Sequence, residues 1–170
     1  MRIRSTFLVI ALTLITLSAS AADEMKKLDW LVGEWKGEAW IQMGPKKEYG
    51  FQTERVQSKL GGQLLIIDGI GKRKNDDGSV GDVVHEAFGV ISYDATKKAY
   101  RFDAWTAREG YVAATATVGN GTVTWGFDTP AGGKVRYTIK RTSKNEWNEV
   151  GEFSRDGNAW TKFFEMTLKK

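Results

Sequence analysis

The feature that most constrains this chain is an alternation of apolar and polar residues that recurs, after short breaks, along much of its length. The clearest examples are the segments 122–127 and 135–140, in which every second side chain is apolar. This period of two places one set of side chains on a core face and the other toward solvent, as in a β-strand. The breaks contain residue pairs typical of tight hairpin turns. These pairs are Asn120-Gly121, Asp77-Gly78, Gly132-Gly133 and Asp156-Gly157.

Counting such segments predicts about ten strands after one short helical turn within residues 24–32. Links of mostly two to six residues require antiparallel neighbours, because parallel pairing needs a long crossover. A sandwich or a closed meander barrel would satisfy this pattern, and regular hairpin spacing without a long return favours the barrel. We therefore predict an all-β fold, an antiparallel up-and-down β-barrel. The predicted strands are 34–43, 49–59, 63–74, 82–93, 98–106, 110–118, 121–128, 133–142, 146–155 and 158–169.

The first residues have the pattern of a secretory signal peptide. Arg2 and Arg4 precede an apolar run over residues 7–17, and Ala19-Ser20-Ala21 provides the small residues that a signal peptidase recognises. The run is too short to cross a bilayer comfortably, which needs about 20 residues, so we expect no membrane span. The predicted division is a signal peptide over 1–21 and a single domain over 22–170.

The composition narrows both the compartment and the partners. The chain has no cysteine, so its stability must come from packing and strand pairing. A signal peptide without disulfides favours secretion into a bacterial periplasm. Lysines and arginines are dispersed along the chain, and we expect no nucleic-acid partner because no block of like charge is present. The sequence does not indicate the oligomeric state.

His85 is the single histidine of the chain, which limits the possible chemistry. An ordinary zinc site needs three or four ligands, and we predict neither a metal nor a cofactor. In the strand around it, His85 and Glu86 point to opposite faces, and both faces are half apolar. Either side chain could therefore be the polar group inside the barrel. If the protein is an enzyme, His85 is the candidate acid or base.

Arginines within strands are the other candidate ligand-binding residues. An inward arginine could hold a ligand carboxylate with two parallel hydrogen bonds. Arg136 alternates with an apolar face and is expected outside. Arg101 shares its face with Trp105, and Arg55 shares its face with Phe51. We predict that Arg55 and Arg101 point into the barrel.

Aromatic residues are numerous, with seven Trp, five Tyr and eight Phe. Most must belong to the core, but a ten-stranded barrel is wider than an eight-stranded one, and side chains need not fill it. The remaining aromatics would line a largely apolar cavity with a few polar groups, which is typical of a ligand pocket. The aromatic residues predicted there are Trp105, Trp125, Tyr137, Phe153 and Trp160.

Three stretches carry a resemblance to a known family. Gly33-Glu34-Trp35 matches the Gly-x-Trp with which lipocalins open their first strand. Residues 31–38 (LVGEWKGE), 85–94 (HEAFGVISYD) and 147–168 together resemble the bacterial family catalogued as domain of unknown function 1579. The resemblance covers nearly all of the chain after residue 21. It implies a lipocalin-like (calycin-like) barrel and no particular activity.

The chain is also distantly similar to the nitrobindin-type haem barrels, through the Gly-x-Trp opening and the ten predicted strands. Those barrels hold haem through a histidine late in the chain. This sequence has no histidine after His85, so that ligand cannot be transferred and haem is not expected.

Three functions remain open at this point. The first is a periplasmic barrel that binds a small apolar or amphipathic molecule, such as a lipid-like acid. The second is a cavity enzyme of the isomerase or hydratase type that uses His85 or a nearby glutamate. The third is a structural or interaction protein whose barrel is filled by its own side chains. The candidate ligand-binding residues are His85, Glu86, Arg55, Arg101, Trp105, Trp125, Tyr137 and Phe153.

Overall fold

The computed structural model describes residues 20–108 and 110–170, and the predicted signal peptide therefore lies almost entirely outside the described residues. A short helix α1 (Ala21–Met25) continues into a 3-10 helix (Lys26–Leu31), which agrees with the predicted helical turn. Ten strands follow, each within a few residues of its predicted bounds. They are β1 (Gly33–Ile41), β2 (Glu48–Lys59), β3 (Leu64–Lys74), β4 (Val80–Asp94), β5 (Ala99–Thr106), β6 (Gly110–Gly119), β7 (Thr122–Asp128), β8 (Lys134–Arg141), β9 (Trp147–Ser154) and β10 (Thr161–Lys169).

The ten strands form a closed barrel in which each strand pairs with its sequence neighbours and β1 closes the ring against β10. All ten pairings are antiparallel. The predicted all-β, up-and-down barrel is therefore confirmed, and the sandwich is excluded. Closure gives every strand two neighbours, although the described pairing of β6 with β7 is limited to three residue pairs next to their turn.

One end of the barrel is closed by the N-terminal helices. Met25, Leu28 and Leu31 are fully buried there with Trp35, the tryptophan of the Gly-x-Trp sequence. The indole Nε1 of Trp35 donates a hydrogen bond to the carbonyl oxygen of Leu31 at 2.6 Å. This contact ties the helical segment to the first strand, and the buried apolar side chains form the floor of the barrel. Among the described residues, no helix is long and apolar enough to cross a membrane.

The opposite end is framed by the hairpin connections β1–β2, β3–β4, β5–β6, β7–β8 and β9–β10. The predicted turn pairs lie between strands at both ends of the barrel. Gly121, in the two-residue link between β6 and β7, has a φ of +68°. Glycine adopts this left-handed conformation without strain. Asn120 before it does not have a positive φ, so the turn is not the type I′ turn that the Asn120-Gly121 pair predicts, which requires a positive φ at both central residues.

The interior is unevenly filled, because small residues dominate one side of it. Strands β3 to β5 present Gly71, Ala87, Gly89 and Ala104 inward, as their strand register shows. The other side carries large aromatic rings from β7, β8 and β10, described below. Side chains on the small-residue wall cannot reach across a barrel of ten strands, since barrel diameter grows with strand number. This asymmetry leaves space inside the barrel.

Candidate functional site

The barrel encloses a cavity of about 910 Å³ that opens at the end opposite the N-terminal helices. This volume falls within the range of small-molecule pockets, roughly 300–1,000 Å³. Its walls are the small-residue side and an aromatic side, and its polar lining includes groups from β2, β4 and β9. The interior is therefore not filled by side chains, as the third of the functions left open would require. The aromatic residues of the lining that point inward are Phe102, Trp125, Phe127, Tyr137, Trp147 and Phe164.

The aromatic wall is a contiguous stack. The ring of Trp125 stacks on Tyr137 with centroids 4.7 Å apart and lies 4.4 Å from that of Phe102. Tyr137 in turn meets Phe164 edge-to-face at 6.1 Å. Such pairs contribute about 0.5–1.5 kcal/mol each beyond their buried area. The wall is therefore a rigid apolar surface against which a ligand could pack.

Glu54 is the first of two buried carboxyl groups in the cavity. It lies on β2 opposite Gly69 of β3, and a Cβ at position 69 would come within 2.8 Å of the Glu54 Oε2. The glycine therefore provides the room that the carboxyl group occupies. Gln52, on the same face, donates a hydrogen bond from Nε2 to Glu54 Oε1 at 2.7 Å. Burial raises the pKa of Glu54 to about 7, opposed by the Gln52 hydrogen bond and reinforced by the charge of Asp68.

Glu149 is the second buried carboxyl group and lies on β9. Its Oε2 accepts a hydrogen bond of 3.1 Å from Nε1 of Trp147. Burial and, to a smaller extent, the charge of Glu54 raise the pKa of Glu149 to about 8, although the hydrogen bond from Trp147 acts to lower it. Glu54 and Glu149 line the same cavity, and the charge of Glu54 acts on the pKa of Glu149.

This carboxyl pair has no buried counter-charge in the part of the chain that the structure describes. The buried polar or charged residues there are Gln52, Glu54, Glu149 and Ser154. An unpaired charge is costly to bury, so the pair keeps part of its protons near neutral pH, with pKa values of about 7 for Glu54 and about 8 for Glu149. Groups with pKa values shifted in this way, in a cavity, are candidates for binding or catalysis.

His85 points into the barrel, and Glu86 points out. His85 pairs with Gly71 across β3 and β4, and its Cβ lies 3.0 Å from where a Gly71 Cβ would be, on the same side as the Gln52 amide. His85 is exposed, at the mouth rather than in the interior. Strand alternation places Glu86 on the outer face, although it borders the mouth of the cavity. The structure thus selects His85 from the two orientations that the sequence left open.

The prediction that Arg55 and Arg101 point into the barrel is wrong. Arg55 lies on the outer face, where its Nε is 3.7 Å from Glu34 Oε1. Arg101 is also outside and forms an ion pair of 3.2 Å with Asp103. The physical reason is that Glu54 occupies the inward position next to Arg55, and the same alternation turns Arg101 outward beside the inward Phe102.

Trp105 and Trp160 also differ from the prediction. Trp105 is on the outer face, 42% exposed, and stacks on Tyr111 with centroids 5.0 Å apart. Trp160 lies beneath the guanidinium group of Arg136, whose carbon is 4.0 Å from the ring centroid. Arg136 is outside, as predicted, and is paired with Glu152. Aromatic side chains therefore also cover the outer surface of this barrel.

Among the remaining predicted residues, Trp125 and Tyr137 line the cavity. Phe153 points inward opposite Val135 but lies outside the set of lining residues, close to Gly133 in the loop before β8. The predicted residues that the structure brings to the cavity by inward side chains are thus His85, Trp125 and Tyr137. Within the described residues, no group of three or more potential ligands could hold a metal ion.

Sequence reasoning missed the four polar or amphipathic residues at the bottom of the cavity. The positions of two of them follow from alternation, because Glu149 lies four residues and Trp147 six residues before the inward Phe153. Because neighbouring residues of a strand point to opposite faces, the prediction that Arg55 points inward placed Glu54 on the outer face. The missed residues are Gln52, Glu54, Trp147 and Glu149.

Comparisons with known proteins support the fold and assign no family. No protein-family model matches the chain, and no curated protein matches it either. The chain is similar in structure to Rv2717c from M. tuberculosis, known from a crystal structure. The two share 12% sequence identity with a TM-score of 0.62, over 89% of this chain and 99% of that one. At this identity, the likeness shows that the two chains share a barrel fold.

Proposed function

We propose that this protein binds a small apolar or amphipathic molecule inside its barrel. The observation that supports this function is the cavity of about 910 Å³, which opens at the end opposite the N-terminal helices. Its largely aromatic walls and few converging polar groups have the composition of a ligand pocket. Apolar surface on the ligand would leave water for the Trp125–Tyr137 wall, at roughly 25 cal/mol for each Å² removed from water.

Binding of N-phenyl-1-naphthylamine, an uncharged apolar fluorescent molecule, tests this proposal. We expect the dye to bind the protein in a saturable way and to gain fluorescence as it enters the apolar cavity. Ala104→Trp, which places an indole in the cavity from the small-residue wall, should abolish binding. Ala113→Trp is the matched control, because Ala113 is exposed on the neighbouring strand. Equal dye binding by both variants, or none by the unchanged protein, would contradict the proposal.

The carboxyl pair favours a second candidate function, a cavity enzyme. Glu54 and Glu149 have pKa values near 7 and 8, which suit general acid–base catalysis at neutral pH. They replace His85 as the candidates for that role, since His85 is at the exposed mouth. Screening of small carbonyl and hydroxy compounds for turnover, with Glu149→Gln as the inactive control, would test this function. A protein that binds such compounds and leaves them unchanged would exclude it.

We further propose that residues 1–21 are a secretory signal and that the protein acts in a bacterial periplasm. The supporting observation is the sequence pattern of residues 2–21. The resemblance of residues 31–38 and 85–94 likewise supports membership of the domain of unknown function 1579 family. The intact mass of the protein recovered from a periplasmic extract should correspond to a chain that begins at Ala22. A protein that retains residues 1–21 in the cytoplasm would contradict this placement.

A further inference from the structure

We propose that the ligand of this barrel carries a positively charged nitrogen, which binds between Glu54 and Glu149 while its apolar body lies along the aromatic wall. This inference rests on the proposed binding function and adds the chemical class of the ligand. It differs from the lipid-like acid that inward side chains of Arg55 and Arg101 would have favoured. The argument depends on where the two carboxyl groups lie, on which charges surround them, and on the rings beside them.

The two glutamates lie together at the floor of the cavity. Glu54 is paired across β1 and β2 with Trp35, whose ring meets that of Trp147 edge-to-face at 5.8 Å. Trp147 in turn donates its indole hydrogen to Glu149. The carboxyl groups therefore stand on the Trp35–Trp147 pair, and both line the same cavity. A group entering from the mouth would meet both carboxyl groups at the end of its path.

The protein supplies no buried cation for this pair within the residues that the structure describes. Glu54 and Glu149 are 8% exposed each, and they are the charged residues in the buried set. The two strand arginines predicted to point inward, Arg55 and Arg101, form ion pairs on the outer face instead. When the pair is ionised, a ligand cation would provide the missing counter-charge to both carboxyl groups, whereas an anionic ligand would be repelled by them.

Other titratable groups on inward positions include His85 on β4 and Arg73 on β3, both exposed at the mouth, and Tyr137 on β8. Further basic side chains border the mouth, so net negative charge is confined to the interior. They are Lys47, Lys72, Lys74 and Arg108. Asp68, on the outer face of β3, adds negative charge that acts on Glu54. The faces of the Trp125 and Tyr137 rings carry negative electrostatic potential, which attracts cations. The interior of the cavity, from the buried carboxyl groups to the aromatic wall, therefore favours a cation, while the mouth carries basic residues.

A neutral alcohol is the strongest competing ligand class, because a protonated carboxyl group can share a hydrogen bond with a hydroxyl. A hydroxyl can donate to one carboxylate and accept from a protonated carboxyl group, so an alcohol suits the pair while it keeps a proton. A primary ammonium donates three hydrogens and accepts none, so it suits the pair once both groups are ionised. Binding of an ammonium requires the pair to lose a proton, so the affinity for an amine should increase as the pH rises toward 8, with Glu54 and Glu149 both facing the nitrogen.

Three naphthalene derivatives of matched size test the inference, namely 2-(1-naphthyl)ethylamine, 2-(1-naphthyl)ethanol and 1-naphthaleneacetate. Binding to the intact protein would be measured by isothermal titration calorimetry at about pH 8 and about pH 6. We expect the amine to bind about tenfold or more tightly than the alcohol and the acid, with the release of protons and with a weaker affinity at the lower pH.

Variants of one strand provide the control. Glu149→Gln keeps the shape of the side chain and removes its charge, and it should weaken amine binding about tenfold while alcohol binding changes about twofold or less. Glu152→Gln, on the outer face of the same strand, should leave both affinities unchanged. Glu54→Gln offers a second inward variant, and circular dichroism confirms that each variant is folded.

The outcomes separate this inference from the function on which it rests. Preference for the amine, lost in Glu149→Gln, supports both. Binding of the alcohol or the acid as tightly as the amine overturns the inference about charge and leaves the binding function standing. Amine binding that is unaffected by Glu149→Gln and Glu54→Gln also overturns it. Failure of all three probes to bind would overturn the binding function together with the inference.

Discussion

Replacement of Glu149 by glutamine should stabilise the protein at neutral and alkaline pH, although glutamine has nearly the same shape as glutamate and adds no contact. In the folded protein, burial and the charge of Glu54 raise the pKa of Glu149 to about 8, from an ordinary value of 4.5 in the unfolded chain. Between these two pH values the folded state binds a proton that the unfolded state has released. The free energy of unfolding therefore decreases as the pH rises through this window.

The magnitude follows from the size of the shift. Each unit of pKa difference corresponds to about 1.36 kcal/mol, so a shift from 4.5 to about 8 sets an upper limit of about 5 kcal/mol on the loss. Glutamine has no such titration, and its amide oxygen can still accept the hydrogen bond from Trp147. We expect the variant and the unchanged protein to differ little at about pH 4.5 and the variant to be more stable by roughly 2–5 kcal/mol at about pH 8.

Urea unfolding of both proteins, followed by tryptophan fluorescence at several pH values between those limits, measures the difference directly. Subtraction of the two curves cancels other titrating groups, such as Asp156, whose pKa is lowered by backbone hydrogen bonds from Asn158 and Ala159. A difference that stays constant with pH, or a variant less stable than the unchanged protein at about pH 8, would refute the burial of an uncompensated carboxyl group.

Three further predictions follow from packing and backbone geometry. Gly69→Ala should lower the free energy of unfolding by about 1–3 kcal/mol, because the new Cβ would lie 2.8 Å from the Glu54 carboxyl group. Gly44→Ala is the control, since a Cβ there meets no atom within 4 Å and should leave the stability unchanged in the same urea assay. Gly121→Ala should cost about 1–2 kcal/mol by thermal unfolding, since φ is +68° at this turn; no loss of stability would contradict the left-handed turn. Trp125→Ala should weaken binding of N-phenyl-1-naphthylamine several-fold, while Trp105→Ala on the outer face should leave it unchanged; the reverse order would place the cavity wrongly.

The fold could be predicted from the sequence because the signals for it are local and repeated. Each strand carries its own alternation, and each link carries its own turn residues, so an error at one boundary does not affect the others. The short links also force the antiparallel order, and closure follows from the absence of a long return connection. The hairpin pair Asn120-Gly121 is one example, since it joins β6 to β7 within two residues.

The candidate site was less predictable, because alternation gives two faces without saying which is inside. Arg101 and Trp105 do share a face, as expected, but that face is the outer one, where Trp105 stacks on Tyr111. The prediction that Trp105 lines the cavity assumes that a tryptophan in a strand points to the interior. In this barrel aromatic residues also lie on the outer surface, and Trp105 is one of them. Glu54 was missed for a related reason, since a buried carboxyl group without a cation is rare and Arg55 beside it was the more conventional choice.

Small residues on the inner face of adjacent strands indicate a hollow barrel, but the amino-acid composition alone does not show that they share this face. Gly71, Ala87, Gly89 and Ala104 lie on three adjacent strands and share the inner face. Small residues at these positions leave a volume that the opposite aromatic wall does not fill. Once register is known, this pattern distinguishes a hollow barrel from a filled one, but register depends on contacts between strands that are distant from any single segment.

Native mass spectrometry of the protein purified from its own host tests the central claim most directly, which is that the cavity holds a small molecule. We expect a complex heavier than the polypeptide, whose extra mass is lost on denaturation and is absent from Ala104→Trp but retained in Ala113→Trp. A polypeptide mass without addition in the unchanged protein, under conditions that preserve the fold, would contradict the claim.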